Sequence, residues 1–132
     1  MYEELIDLTS SFLVIFRNIA KKHSITSSQG FILLTIDSRG TSMMGVSNKL
    51  GLDASTMTRN IEKLEKKQLV YRERLTSDAR VVNVYLTKSG LKLNRVIKED
   101  LQIILRDKVS DKTELTNKLH GLIWDLEKIN YI

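Results

Sequence analysis

Residues 42–59 read Ser42-Met43-Met44-Gly45-Val46-Ser47-Asn48-Lys49-Leu50-Gly51-Leu52-Asp53-Ala54-Ser55-Thr56-Met57-Thr58-Arg59, and the fold turns on them. Met43, Val46 and Leu50 recur at steps of three and four, the spacing of one helix face. Gly51 stops that helix, and Asp53 or Ala54 opens a second one that runs to about Lys67. Two helices joined by so short a turn containing glycine describe a helix-turn-helix. In the second helix Met57, Ile61 and Leu64 fall within about 60° of one another at 100° per residue, which points them to a core. Ser55, Thr56, Arg59 and Lys63 occupy the opposite half. Short hydroxyls beside an arginine suit a DNA major groove, where hydroxyls reach base edges or phosphates and arginine pairs bidentately with guanine. The competing reading is an ordinary solvated helix face. Position after a helix and a glycine turn, and before a basic hairpin, favours the groove.

C-terminal to this pair, Leu69–Glu73 and Val81–Leu86 are short β-branched or aromatic stretches separated by Arg74-Leu75-Thr76-Ser77-Asp78-Ala79-Arg80. They read as a β-hairpin with an extended polar tip. Leu93, Val96, Ile97, Leu101, Ile104 and Leu105 then mark a long helix, and Leu115, Leu119, Leu122, Leu126 and Ile129 a last one, with Thr87 and Asp111 as expected N-caps. N-terminal to the pair, Thr26-Ser27-Ser28-Gln29 is a capping box whose helix carries Phe31, Ile32, Leu33 and Leu34 and should stop near Gly40. Before it, Leu5, Leu8, Phe12, Ile15 and Ile19 line one face of a helix over Tyr2–Lys22, and Ile6, Leu13 and Phe16 widen it beyond what a lone surface helix buries. That width fits either a helix sandwiched in its own core or one shared with a second subunit.

The whole chain has 132 residues, 42% apolar and 28% charged, which suits a single ordered domain. It lacks proline, where about six or seven would be usual. With few breakers, long helices are expected. Absence of cysteine excludes disulfides, thiolate metal sites and cysteine nucleophiles. No apolar run approaches the roughly 20 residues of a membrane span, and Met1-Tyr2-Glu3-Glu4 is not the start of a secretory signal, so a cytoplasmic protein without membrane contact is expected. His23 and His120 are far apart in sequence and no nucleophile–base, phosphate-loop or paired-ligand spacing occurs, so no enzyme, metal or cofactor is expected.

The net charge of +5 has an address. Residues 1–40 balance four basic groups with four acids, and residues 91–132 hold eight against seven. Residues 41–90 hold nine basic groups, among them Arg59, Lys63, Arg72, Arg74 and Arg80, against the five acids Asp53, Glu62, Glu65, Glu73 and Asp78, a balance of +4. Concentration on the helix-turn-helix and hairpin is the footprint of a DNA reader. An arginine on the hairpin tip can enter a narrow minor groove, and Asp78, two residues before Arg80, can hold its guanidinium through a charge-assisted bond.

These segments resemble the MarR (multiple antibiotic resistance regulator) family of winged helix-turn-helix DNA-binding proteins. Val46-Ser47-Asn48-Lys49-Leu50-Gly51-Leu52-Asp53 is similar to its first helix and turn, Ser55-Thr56-Met57-Thr58-Arg59 to its recognition helix, and Leu64 to Arg72 to the approach to its wing. Asp78-Ala79-Arg80 followed by Leu86-Thr87-Lys88-Ser89-Gly90 resembles its wing signature and the start of the next helix. The resemblance implies a mainly α fold with a small β-hairpin wing (α+β), one domain over 1–132. In it, 25–90 form the winged helix-turn-helix DNA-binding lobe, and 1–24 and 91–132 the helical dimerisation region. It implies a homodimeric regulator, expected to be a repressor, on a pseudo-palindromic double-stranded DNA operator, with helix 54–67 in the major groove and wing 72–84 at the minor groove. Ser55, Thr56, Thr58 and Arg59 would contact bases and nearby phosphates, Arg80 would enter the minor groove, and Asp78 would steady it. Lys63 and Arg74 join this set as basic groups of the helix and the hairpin. Some members release DNA when a small aromatic anion binds, and Phe12, Phe16, Phe31 and Met43 are the residues expected to line such a pocket here. Three departures stand out: Gln68 where the family places glycine, Ser47 where it places alanine, and a wing without its proline or its second adjacent arginine. A left-handed backbone at Gln68 would cost roughly 1 kcal/mol. An architectural DNA binder of low specificity and a winged-helix module for protein–protein contact are the alternatives.

Overall fold

Side chains that intercept peptide groups at the helix ends set the boundaries of this fold. In the computed structural model, which describes residues 1–109 and 112–129, the order is α1 (Tyr2–Lys22), α2 (Ser27–Thr35), β1 (Thr41–Ser42), α3 (Met43–Leu50), α4 (Ala54–Lys66), β2 (Val70–Arg74), β3 (Val82–Leu86), α5 (Lys88–Lys108) and α6 (Lys112–Glu127). Thr26 Oγ1 accepts from the Gln29 N–H at 3.2 Å while Gln29 Oε1 accepts from the Thr26 N–H at 3.2 Å, so the expected capping box opens α2. Ser42 caps α3 and Asp53 caps α4, each side chain accepting an N–H three residues on. Thr87 Oγ1 accepts from the Gly90 N–H at 3.0 Å and donates to the Gln68 carbonyl at 2.7 Å, tying the start of α5 to the segment entering the wing. The other expected cap, Asp111, lies outside the described residues.

Helix α2 ends at Thr35 rather than near Gly40. Ile36 is already extended, and Asp37 Oδ1 accepts from both the Arg39 N–H and the Ser38 hydroxyl. That aspartate offers the backbone a turn in place of another helical turn. The chain then forms β1, two residues that carry no readable alternation and were not expected. The sheet is antiparallel in the order β1-β3-β2, with Thr41 opposite Val84 and Arg72 opposite Val84 on the other side. Both hairpin strands begin one residue later than their β-branched composition suggests. Leu69 donates its N–H to the Leu64 carbonyl and so belongs to the end of α4, while Val81 donates to the Asp78 carbonyl within the tip turn.

Helix α4 closes in a Schellman motif, with Gln68 N–H to Glu65 O and Leu69 N–H to Leu64 O. Gln68 takes φ 60°, the left-handed region where glycine is favoured, so the strain anticipated for that substitution is present. Ser24 does the same at φ 62° after α1.

The chain divides into two compact units, Met1–Asp100 and Leu101–Ile132. The core of the first is Phe16, Ile19, Ile32, Leu33, Val46, Met57, Ile61, Leu64, Val84 and Ile97, all buried. Met57, Ile61 and Leu64 are the inward face anticipated for the second helix of the pair. Buried Asn94 donates to the Leu33 carbonyl at 2.8 Å, satisfying a group in the last turn of α2 that the helix itself leaves open. In the second unit α6 buries none of its described residues. Mainly helical, with a three-stranded antiparallel sheet whose hairpin follows the helix-turn-helix, the fold is a winged helix-turn-helix. Among the described residues, no helix is long and apolar enough to cross a membrane.

Candidate nucleic-acid interface

Helix α4 presents its polar half because its apolar half is fixed. With Met57, Ile61 and Leu64 essentially inaccessible, Ser55, Arg59 and Lys63 are left exposed and follow one another at four-residue steps. Thr56 is half-buried. The first turn is ordered by Asp53, whose Oδ1 accepts from the Thr56 N–H at 2.7 Å and from the Ser55 hydroxyl at 2.8 Å. These bonds hold the Asp53 carboxyl below its ordinary range: the Thr56 N–H contributes most, the Ser55 and Thr56 hydroxyls next, and the charge of Arg59 least. Asp53 is therefore ionised at neutral pH.

The wing tip is built in the same way. Asp78 Oδ1 accepts from the Arg80 N–H at 3.0 Å and from Nε at 3.2 Å, and Oδ2 accepts from Nη2 at 3.3 Å. The guanidinium thus meets the carboxylate bidentately, and this side-chain pairing, with the Arg80 N–H second, lowers the Asp78 pKa. The Arg80 side chain is 91% exposed and that of Asp78 only 37%, so the arginine projects while its partner stays back. The anticipated pairing is present, and a turn closed by Val81 N–H to Asp78 O brings the two side chains together. Arg74, expected among the DNA-binding residues as a basic group of the hairpin, donates from Nη1 to the Ala79 carbonyl at 2.7 Å and so ties the tip to β2.

Between α3, the start of α4 and the wing runs an open groove of about 630 Å³ whose lining includes Met43, Met44, Met57, Thr58, Arg72 and Arg80. Thr58 therefore faces the wing, in the same recess as Arg80. Two further residues shape this region without any sequence signal. Arg72 on β2 meets Glu65 on α4 at 2.8 Å, with both side chains about a third exposed. The contact bridges a helix and a strand, so neither residue's sequence neighbours announce it. The Asp53–Ser55 bond was legible in principle, since an N-cap acid two residues before a serine is a common local pairing.

Three of the four residues expected to line a ligand pocket, Phe12, Phe16 and Phe31, cluster together. Phe16 and Phe31 stack with centroids 4.1 Å apart and planes 7° from parallel, Phe12 lies 6.0 Å from Phe16, and Phe16 is buried. A Cβ on Gly30 would meet the Phe16 ring at 2.8 Å, so Phe16 is tightly packed, while Phe31 is half-buried and Phe12 exposed. Met43 lines the groove beside the wing instead. His23 Nε2 lies 3.1 Å from Asp100 Oδ2 and joins the end of α1 to α5.

Comparison with known proteins agrees with this architecture. The chain matches the family described as "Transcriptional regulator SarA/Rot" over residues 14–97. It is 28% identical over 107 residues to the HTH-type transcriptional regulator SarZ of Staphylococcus haemolyticus (strain JCSC1435), covering 78% of this chain and 73% of that protein. A MarR transcriptional regulator from Methanosarcina mazei Go1 superposes with a TM-score of 0.79 at 27% identity, over 96% of this chain and 99% of its own. NadR, solved in complex with 4-hydroxyphenylacetate, superposes at 0.82 with 26% identity, over 96% and 92%. The matched residues 14–97 span the helix-turn-helix and the whole wing, and the chain belongs to the SarA/Rot family, DNA-binding transcriptional regulators of the MarR-like winged-helix type.

Proposed function

We propose that this chain acts as a homodimeric repressor on a pseudo-palindromic operator in double-stranded DNA. The observation that carries the reading is the exposed row Ser55, Arg59 and Lys63 on α4, opposite a fully buried face. Set in a major groove, its N-terminal turn meets base edges: Ser55 reaches a base, Thr56 and Thr58 reach bases or adjacent phosphates, and Arg59 pairs with guanine. Arg80, held by Asp78, enters the flanking minor groove, where a narrow A·T tract makes the potential most negative. Arg74 supports the tip from within and adds charge toward the backbone. Two-fold symmetry then sets the half-sites about one helical turn, roughly 10 base pairs, apart. Occupancy of such a site across a promoter excludes polymerase, which makes repression the direct outcome.

NadR was solved with an aromatic anion, and this chain has a groove with chemistry for one: Met43 and Met57 supply apolar contact, Arg72 and Arg80 positive charge. An anionic aromatic effector seated there would compete with DNA for Arg80.

Readout and positioning separate by mutation. Arg59→Ala should cost roughly 1–3 kcal/mol of operator affinity and relax preference at one base per half-site. Lys63→Ala should weaken binding to all sequences alike and reduce the salt slope by about one charge per subunit. Titrations of operator and random duplex at several salt concentrations check both. Equal losses on the two duplexes for Arg59→Ala would show a phosphate contact only.

A further inference from the structure

The Ser55–Asp53 bond fixes more than the conformation of a helix start. A serine hydroxyl carries one proton, and an ionised carboxylate has none to offer, so in the 2.8 Å contact Ser55 must be the donor. Its proton is therefore committed to Asp53, and what Ser55 Oγ offers outward is lone pairs alone. We infer that Ser55 is a specificity-determining residue that acts purely as a hydrogen-bond acceptor in the major groove and selects a base bearing an exocyclic amino group, adenine or cytosine. This inference rests on α4 occupying the major groove, as proposed above.

The alternatives fail on chemistry. Phosphate oxygens only accept, so Ser55 cannot bond to them while it donates to Asp53. Guanine shows N7 and O6 acceptors in the major groove, and thymine an O4 acceptor and a methyl group, whereas adenine N6 and cytosine N4 supply donors. Releasing the proton toward DNA would deprive an ionised Asp53 of a donor while a polyanion approaches, which is the moment the carboxylate most needs it. The depressed pKa of Asp53 keeps it charged throughout the neutral range. Asp53 thus acts as a positioning residue, and the polarity of Ser55 is set before DNA arrives.

The second reader complements the first. Arg59 has donors only and must meet acceptors, guanine O6 and N7 in the groove. It stands four residues after Ser55 on the same face, a rise of about 6 Å, less than two base-pair steps of about 3.4 Å. The half-site should therefore contain, within about two base pairs of the guanine, a base pair whose orientation is fixed, so that its amino-bearing base, adenine or cytosine, always lies on the same strand.

The test starts from selection of binding sites out of a random-sequence duplex library by the wild-type dimer, by Ser55→Ala and by Arg59→Ala. Ser55→Ala keeps the Asp53–Thr56 cap and improves helix propensity, so it should fold as the parent does. Wild type should enrich, beside an invariant guanine, one base pair whose adenine or cytosine sits on a fixed strand. Ser55→Ala should lose only the first restriction and Arg59→Ala only the second. In the selected site, the adenine is then replaced by purine, or the cytosine by 2-pyrimidinone, each lacking the amino group. Wild type should lose about 3- to 10-fold in affinity, beyond any loss shown by Ser55→Ala. A Ser55-dependent base pair at which removing the amino group of its adenine or cytosine costs wild type nothing overturns the inference, as does a Ser55→Ala loss equal on all sequences. If neither variant alters a site that wild type selects well, α4 is not in the groove and the parent reading falls with it. If Arg59→Ala alters the guanine while Ser55→Ala changes nothing, only the Ser55 inference falls.

Discussion

Gln68 closes α4 in a conformation that costs an L-residue roughly 1–2 kcal/mol, because its Cβ crowds the following carbonyl. Glycine escapes that cost but loses more entropy on folding, about 0.4–1 kcal/mol, so the two effects oppose each other. The steric term is the larger. Gln68→Gly should therefore raise unfolding free energy by on the order of 0.5–1 kcal/mol, seen as a higher urea midpoint at unchanged m; no gain would mean the Schellman bonds already offset the strain. A second residue-scale effect concerns binding. In the proposed complex phosphates approach Asp78, and simple electrostatics says that Asp78→Ala should tighten DNA binding. Its bidentate hold on Arg80 says the reverse, since a preordered arginine loses less rotamer freedom on insertion. We expect Asp78→Ala to weaken operator binding about threefold, and only while Arg80 is present. A double-mutant cycle with Arg80→Ala at fixed salt decides it: tighter binding, or equal weakening in both backgrounds, would end the partnership.

Elements are joined here by contacts that no single stretch of sequence announces. Thr87 N–H donates to the Leu69 carbonyl at 3.0 Å, and a Cβ on Gly90 would sit 2.0 Å from that same oxygen. The neighbour is backbone and cannot rotate away, so α5 must be pushed off the segment that leads into the wing. Gly90→Ala should lower stability by roughly 1–3 kcal/mol by chemical denaturation, whereas Gly121→Ala, with open space around its Cβ, should be neutral or stabilising. This junction also marks where sequence reading stops. Helix faces and caps were legible because they are local: Thr26 with Gln29, Asp53 before α4, Met57 with Ile61 and Leu64. The wing was legible as two β-branched runs, yet each start was one residue early because Leu69 and Val81 are committed to neighbouring turns by bonds that composition does not encode. The end of α2 was missed because Asp37 competes for backbone donors that the helical pattern alone would claim. In the site, Asp78 with Arg80 and the outward row of α4 could be read from spacing. Glu65 with Arg72 could not, being seven residues apart on different elements, nor could the bond from Arg74 to the Ala79 carbonyl, which depends on how the tip folds back on β2.

At the scale of the whole molecule, the apolar surface left over is the decisive quantity. In the second unit Leu115, Leu119, Ile123, Trp124 and Leu126 of α6 are all exposed, with Trp124 at 63%, and α6 buries no described residue. In the first unit α1 leaves Tyr2, Ile6, Leu8, Phe12 and Val14 exposed although it packs Phe16, Ile19 and Ala20. Single exposed leucines are ordinary, but a row such as Leu115, Leu119, Ile123 and Leu126 on one face of α6 is not, and the exposed apolar residues of α1 come from several of its sides. Covering such a side chain from its present exposure is worth on the order of 1 kcal/mol. These ten residues, doubled over two protomers, would supply on the order of 20 kcal/mol, above the roughly 4–15 kcal/mol that association costs. A symmetric homodimer is therefore the expected state at micromolar concentration, and light scattering should report about twice the 15.2 kDa of one chain. Leu119→Lys places a charge on the centre of the α6 row and should lower that mass toward one chain, while Leu119→Met should not. With each protomer reading one half-site, as proposed, the lysine variant should also bind a full operator hardly better than a single half-site. A wild-type chain that stays monomeric under these conditions would sink the dimer; a dimer that survives Leu119→Lys would keep the assembly but move its interface away from α6.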